Sequence, residues 1–419
     1  MRVYISGMGI VSSLGNSVED AWGALTRSES GVKSIPEWGM YKGLRCLVAA
    51  PAFPYDESFI ARKARRTMSP MSEMAVIATL QAMVQAGFSR DNLWGGLEEH
   101  RVLLSMGSTT GSPATLEDQF RRMFEKGGSE GQLSTTFFKI MNHSVPSNVA
   151  GALAYQGPML SPSSACSTSS QALINGWELI QSGLYDIVIA GGADELHHTS
   201  NFTFDTVQAA STGFNDRPKE TPRPFDRARD GLVCSEGAAV VVLESEAHLE
   251  KRGGKPLAEF VSGAYHCDGT HMSHPQSPAM VKVMTQALKR GKIQAEDVNY
   301  VNAHATGTVA GDIEEARSID TMFGRRVPVS SLKGHFGHSL AACGAVEVIA
   351  SVKMLETQKI IGTRNLQERD PLLPMILLPN SNIDARLTTV ISNNFAFGGI
   401  NSSLIVSRVG AEHAAHRRS

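Results

Sequence analysis

The chain has few of the features that mark specialised protein classes. Its five cysteines (Cys46, Cys166, Cys234, Cys267 and Cys343) are odd in number and widely spaced, and no C-x-x-C occurs. A disulfide framework or a zinc ribbon is thereby excluded as the organising principle. Neither charge is in excess: 39 Lys and Arg face 41 Asp and Glu, for a net charge of −2. No overall basic field exists to hold nucleic acid. No uninterrupted apolar run reaches membrane-spanning length. The start, Met1 to Gly9, lacks the apolar stretch and cleavage pattern of a signal peptide, so the expected location is the cytoplasm, with no membrane and no nucleic acid as partner. No charge run or Pro/Ser-rich linker divides the chain.

What remains is an ordinary globular composition over 419 residues, 42% hydrophobic and 19% charged. That length fits two or three domains or one large α/β body. Apolar β-branched runs such as Val188–Ala190 and Val240–Leu243 read as buried strands, and Met71–Ala86 and Gln171–Ser182 carry helical patterns. Such alternation argues an α/β architecture with buried sheets. A weak repeat is visible. Arg2–Gly7 is echoed by Ala258–Gly263, and the Gly-ended strand at Ile187–Ala190 by the one at Val390–Ser392. Two related halves, 1–250 and 251–410, followed by a polar tail at 411–419, fit that pattern.

Four segments carry residues suited to chemistry. Cys166 sits among small residues, Leu160 to Ser170, just ahead of a helical stretch. A thiol at a helix start is favoured as thiolate by the dipole and free N–H groups there; the alternative is a buried core cysteine. His304 follows a short strand and precedes Thr306 and Thr308; His335 and His338 lie on a helix-entry loop with Lys333. Each histidine is either a site residue or a satisfied core or capping residue. His335-x-x-His338 has metal-pair spacing but no third ligand nearby, so no metal is expected. The turn Asn393 to Asn401 holds Phe397, Gly398 and Gly399, whose freedom lets backbone N–H groups face a ligand.

Together these segments resemble the decarboxylating, elongating β-ketoacyl-acyl carrier protein synthases of the thiolase superfamily. The block Arg223 to Gly231 with Glu236-Gly237-Ala238, and Asp268 with His271-Met272, are similar to the same family. The resemblance implies an α/β/α/β/α layered thiolase-like fold of two halves with mixed five-stranded sheets. It implies that Cys166 takes the acyl chain as a thioester, that His304 and His338 bind the malonyl thioester and stabilise its enolate, and that Lys333 organises the site. Phe397 is implied as a gate whose N–H joins that of Cys166 in an oxyanion hole. Asp312, Glu315 and Glu347 are implied supporting carboxylates. Thr306, Thr308, Ser273, Thr110 and Phe204 are implied to meet substrate. The basic run Arg62, Lys63, Arg65 and Arg66 is a candidate dock for an acyl carrier protein, or simply a solvated helix start.

No cofactor is implied beyond the phosphopantetheine that arrives on the carrier. The family implies a homodimer, or a heterodimer with a paralogous chain-length factor in a polyene or polyketide pathway. A thiolase would need a second cysteine within 391–403, which is absent, and the initiating synthases carry Asn where His338 stands. The chain departs from the family's usual His-Gly-Thr-x-Thr at His304–Thr308 and from its Gly-Gly-Thr-Asn at Gly398–Asn401. With the polar segment Met141–Ser147, these departures lead us to expect short, unsaturated or aryl-ended acyl chains.

Overall fold

A computed structural model of the chain describes residues 1–411; of the expected tail, 412–419 lie outside the described residues. The fold is built on ten strands: β1 Val3–Val11, β2 Val102–Gly107, β3 Met159–Leu160, β4 Ile187–Asp194, β5 Gly237–Ser245, β6 Ala258–Cys267, β7 Tyr300–Asn302, β8 Val329–Ser330, β9 Thr389–Ala396 and β10 Ile400–Ser407. Their order is β8-β7-β9-β10-β6-β1-β5-β4-β2-β3. Counted outward from the middle, β1-β5-β4-β2-β3 is matched position for position by β6-β10-β9-β7-β8. The two stretches that echo one another in sequence are thus β1 and β6, the innermost strands. They meet through the antiparallel pairs Tyr4–Glu259 and Ile5–Ala258. The expected pair of five-stranded sheets is therefore one hydrogen-bonded ladder, fused at a short seam.

Six helices position the site: α1 Pro70–Gln85, α2 Pro113–Lys126, α3 Thr168–Gln181, α4 Ser277–Gly291, α5 Val309–Phe323 and α6 Cys343–Thr357. α3 and α6 form the central layer, touching strands of both halves. α1 covers the outside of one half and α4 the outside of the other, with α5 against α4. The strands are apolar on both faces for this reason. Val188, Ala190, Val241 and Leu243 face the central core, while the alternate residues Ile187, Ile189, Val240 and Val242 face α1. In the second half Val390 and Leu404 point inward, and Ile391 and Ile405 point to the α4 side. Each such Val, Leu or Ile side chain contributes about 1.5–3 kcal/mol of burial. The outer helix lies directly on β1: a Cβ at Gly7 or Gly9 would come within 2.0 and 1.9 Å of the carbonyl oxygens of Ala82 and Ala78. No helix among the described residues is long and apolar enough to cross a membrane.

Candidate active site

The parallel strands β2, β3 and β4 of one half, and β7, β8 and β9 of the other, end toward the same region. Sites in open α/β sheets gather at such carboxyl ends. Cys166 follows β3 in a short 3-10 turn, Ala165–Ser167, that runs straight into α3. Ala165 is held at φ +48°, a left-handed bend that a β-carbon tolerates poorly and that sets the elbow. His304 comes two residues after β7, Lys333 three after β8, and His338 in the turn before α6.

These residues converge. One ligating atom each from Cys166, His304 and His338 lie within 4.8 Å of one another. His338 Nε2 is 2.9 Å from Cys166 Sγ, and the two imidazoles cross edge to face with centroids 5.3 Å apart. The backbone N–H groups of Cys166 and Phe397 also point at the sulfur, which thus meets two backbone donors and the His338 imidazole. They open into a cavity of about 370 Å³.

The electrostatics follow from burial. Both imidazoles are held well below the ordinary histidine range, by burial first and the Lys333 cation second. They are therefore neutral, with one N–H each. Neither Nδ1 has a hydrogen-bond partner. A buried N–H left orphaned costs more than a buried lone pair with spare capacity, so the proton belongs on Nε2, which in His338 faces the sulfur. Lys333 is fully buried; burial pulls its ammonium down, and Glu347, at 2.5 Å, more than restores it. The second oxygen of Glu347 accepts from Asn394 Nδ2 at 2.6 Å.

The thiol contradicts the sequence reading. Burial pushes Cys166 up to about 12 against the opposing pull of Lys333 and the backbone N–H groups. The resting sulfur is a protonated thiol, because desolvation of the anion exceeds the help expected from the helix start.

The remaining expected residues separate into groups. Phe204, Ser273, Thr306, Thr308 and Phe397 line the same cavity, with Phe204 and Phe397 facing each other at 5.8 Å. Glu315, on α5, accepts the N–H groups of His304 (2.8 Å) and Ala305 (2.6 Å). Asp312 accepts those of Gly307 (3.1 Å) and Phe225 (2.8 Å). Burial pushes Glu315 up to about 8 and Asp312 up to about 6. Both carboxyls shape the His304 loop and neither reaches the cysteine. Thr110 is exposed and hydrogen-bonds Asp194, outside the residues that line this cavity. Arg62, Lys63, Arg65 and Arg66 lie on a separate surface helix, with Arg65 paired to Glu57 at 3.1 Å. His335 is buried away from the site, between the carbonyl oxygens of Glu29 and Gly362, each 3.1 Å away.

Two residues escaped the sequence reading. Asp194, fully buried at the end of β4, accepts from Ser108 Oγ (2.5 Å), Thr109 N–H (3.0 Å) and Ala341 N–H (2.8 Å). It ties the loop after β2 to the turn before α6. Asn394 joins Glu347 to Ser170, whose Oγ lies 2.5 Å from its Oδ1. A carboxylate directly after Gly191-Gly192-Ala193 was the available signal for the first; the second had none, since its partners are distant in sequence. Among the described residues, two side-chain groups have the composition to hold a metal ion: Cys166 with His304 and His338, and Glu117 with His197 and His198.

Known proteins resemble this chain over nearly its whole length. The family described as Beta-ketoacyl synthase, N-terminal domain, matches residues 1–248, and Beta-ketoacyl synthase, C-terminal domain, matches 257–367. The chain is 34% identical to the 3-oxoacyl-[acyl-carrier-protein] synthase 1 of Haemophilus influenzae, over 97% of this chain and 99% of that one. It is similar to the crystal structure of a beta-ketoacyl synthase from Burkholderia phymatum (38% identity, TM-score 0.93, 97% and 99% of the chains covered). It is also similar to the ishigamide ketosynthase/chain length factor (26% identity, TM-score 0.89, 98% and 99% covered).

Proposed function

The chain belongs to the β-ketoacyl synthase family, and from that premise we propose that it is a 3-oxoacyl-[acyl-carrier-protein] synthase of fatty acid elongation. The observation that carries this reading is the meeting of one thiol, two neutral N–H-bearing imidazoles and two backbone N–H groups around one cavity.

In the first half-reaction the sulfur of Cys166 attacks the carbonyl carbon of an acyl thioester delivered on the phosphopantetheine arm of the carrier. The oxyanion rests on the N–H groups of Cys166 and Phe397. The carbonyl re-forms, the pantetheine sulfur leaves, and it takes the proton that Cys166 gives up. The acyl group stays at thioester level, so no ATP is needed. In the second, the thioester oxygen of malonyl-carrier protein accepts hydrogen bonds from His304 and His338. The C–C bond to the carboxylate breaks, CO2 departs, and its electron pair becomes the enolate that those two donors stabilise. The enolate carbon attacks the acyl carbonyl on Cys166, the C–S bond breaks, and the thiolate takes a proton from water. Lys333 acts on the imidazoles through space. Its charge adds to burial in keeping them unprotonated, and Glu347, itself held by Asn394, keeps it in place. Thr306, Thr308 and Ser273 line the entrance where the pantetheine arm passes; Phe204 and Phe397 form the gate.

The acidic carrier docks on the exposed basic helix at Arg62–Arg66, and the enzyme acts in the cytoplasm. A homodimer is supported by the apolar edge strand β3, where Met159 and Leu160 are exposed, and by exposed Phe120 and Phe124 on α2. A second reading, a ketosynthase paired with a chain-length factor, keeps the same chemistry; it is favoured by the structural neighbour that is such a pair. Co-purification with a paralogue lacking the cysteine would select it.

The deciding experiment is intact-mass measurement after incubation with acyl-carrier protein. Wild type gains one acyl group and Cys166→Ala gains none while remaining folded. Cys166→Gln still releases CO2 from malonyl-carrier protein, because the amide imitates the acylated sulfur. An adduct that survives in Cys166→Ala would overturn the assignment.

A further inference from the structure

Three ligating side chains meet at the start of the helix His198–Thr206, which carries Phe204 into the wall of the cavity. Glu117 Oε2, on α2, lies 3.2 Å from His197 Nε2 and 3.1 Å from His198 Nε2, and the three atoms are all within 4.8 Å of one another. Tetrahedral zinc with bonds of about 2.0–2.1 Å sets its ligand atoms roughly 3.3 Å apart. The two separations from Glu117 Oε2 need change by only a few tenths of an ångström. We propose that Glu117, His197 and His198 form a site for one divalent transition-metal ion, of which zinc is the best chemical match, with water as the fourth ligand.

Several independent features pre-arrange it. The His198 ring is stacked on Tyr41 at 3.7 Å with the planes 16° apart, so its Nε2 is aimed. His197 Nδ1 lies 2.9 Å from Thr199 Oγ1. Zinc takes an imidazole nitrogen as a lone pair while the other ring N–H needs an outer partner, and Thr199 Oγ1 is that partner once the proton sits on Nδ1. Without metal, Nδ1 instead accepts the Thr199 N–H as a helix cap, and the imidazole changes tautomer on binding without a net change of charge. The two segments that bring the ligands are already fastened: Ser112 caps α2 and donates to Glu195 Oε1 at 2.7 Å. Glu117 Oε2 is shielded from solvent and has no well-directed hydrogen bond. Two neutral imidazoles and one carboxylate are a ligand set zinc accepts. The ion would clamp α2 to the helix that carries Phe204, and so fix the wall facing Phe397 without touching the reacting atoms. The expectation of no metal was drawn from His335 and His338; Glu117 lies some eighty residues before the pair His197-His198, so no local spacing joins them.

The catalytic trio must be removed from the test, since a thiol and two imidazoles also bind zinc. The full chain carrying Cys166→Ala is stripped with chelator, then titrated with zinc sulfate by calorimetry and with cobalt chloride by visible absorption. The expected result is one equivalent of metal, ligand-field bands of low-coordinate cobalt without a thiolate charge-transfer band, their loss on adding zinc, and a rise in Tm with zinc by mass action. Adding Glu117→Gln, His198→Gln or His197→Asn (which keeps a capping oxygen) should weaken binding by about 100-fold or more, and Thr199→Val by about tenfold. Without metal, Tm should match that of Cys166→Ala. If Cys166→Ala takes up neither metal at micromolar free concentration, or if the ligand variants bind as tightly as their parent, the proposal is wrong. Should a ligand variant fail to fold, the cobalt spectrum of Cys166→Ala decides alone.

Discussion

Replacing His304 by alanine should separate the two half-reactions. The imidazole sits at one wall of the cavity with its Nε2 proton free for a substrate, 5.3 Å in ring separation from His338. Removing one of two preorganised donors to an oxyanion costs about 10²–10³ in rate, or ~2.7–4 kcal/mol; CO2 release from malonyl-carrier protein should fall by that factor. Acyl loading draws on other donors, the N–H groups of Cys166 and Phe397, so loading of His304→Ala should stay within a few-fold of wild type. His338→Ala should lose decarboxylation equally. It should also load about tenfold more slowly, because its N–H to the sulfur is worth roughly 1.5 kcal/mol when the sulfur is charged. Both imidazoles are held well below the usual range, so they stay neutral as pH falls through about 6.5, and decarboxylation should show no inflection there. Loading followed by stopped mass spectrometry, beside CO2 release in a Cys166→Gln background, gives the two rates independently. Parallel loss of both activities in His304→Ala, or decarboxylation within tenfold of wild type, would refute the separation.

Three further outcomes follow from the same geometry. With Cys166 pushed up to about 12, the thiolate fraction rises with pH up to that value, so iodoacetamide should modify Cys166 about tenfold faster per pH unit from 7 to 9.5; a plateau near 8.5 or below would show that the helix start outweighs burial. Lys333→Met leaves Glu347 buried without its cation and should destabilise the fold by about 3–5 kcal/mol in urea, while Lys333→Met with Glu347→Gln should recover part of the loss; equal stability of both variants would mean the pair is not coupled. Charge reversal at Arg62 and Arg66 should raise KM for carrier-bound substrates and flatten its salt dependence, with small thioester mimics unaffected; equal losses on both would point to misfolding.

The family was legible in the sequence because the residues that carry the resemblance sit in compact blocks, Leu160–Ser170, Asn302–Thr308, Ser330–His338 and Asn393–Asn401, with small residues and glycines around them. The α/β alternation was legible because Val240–Leu243 and its counterparts are apolar on both faces. What depended on distant contacts was not. The seam between β1 and β6 rests on two residue pairs, and no local pattern announces them. Asp194 and Asn394 read as ordinary polar residues until the segments they join are folded together. The protonation of Cys166 was misjudged because a helix start is visible in sequence and desolvation is not. His335, beside Lys333 and three residues from His338, was open in the sequence between a site and a core histidine, and the structure buries it between two backbone carbonyls.

The five-by-five plan also governs when the enzyme can first act. Cys166 belongs to the first half, His304, Lys333 and His338 to the second, and the N–H of Phe397 to the β9–β10 turn near the end of the described chain. During translation the nucleophile leaves the ribosome long before either enolate donor, and the last donor to the oxyanion is among the last groups to be made. On the roles proposed for these groups, a chain ending before the β9–β10 turn would carry the thiol without its full set of donors.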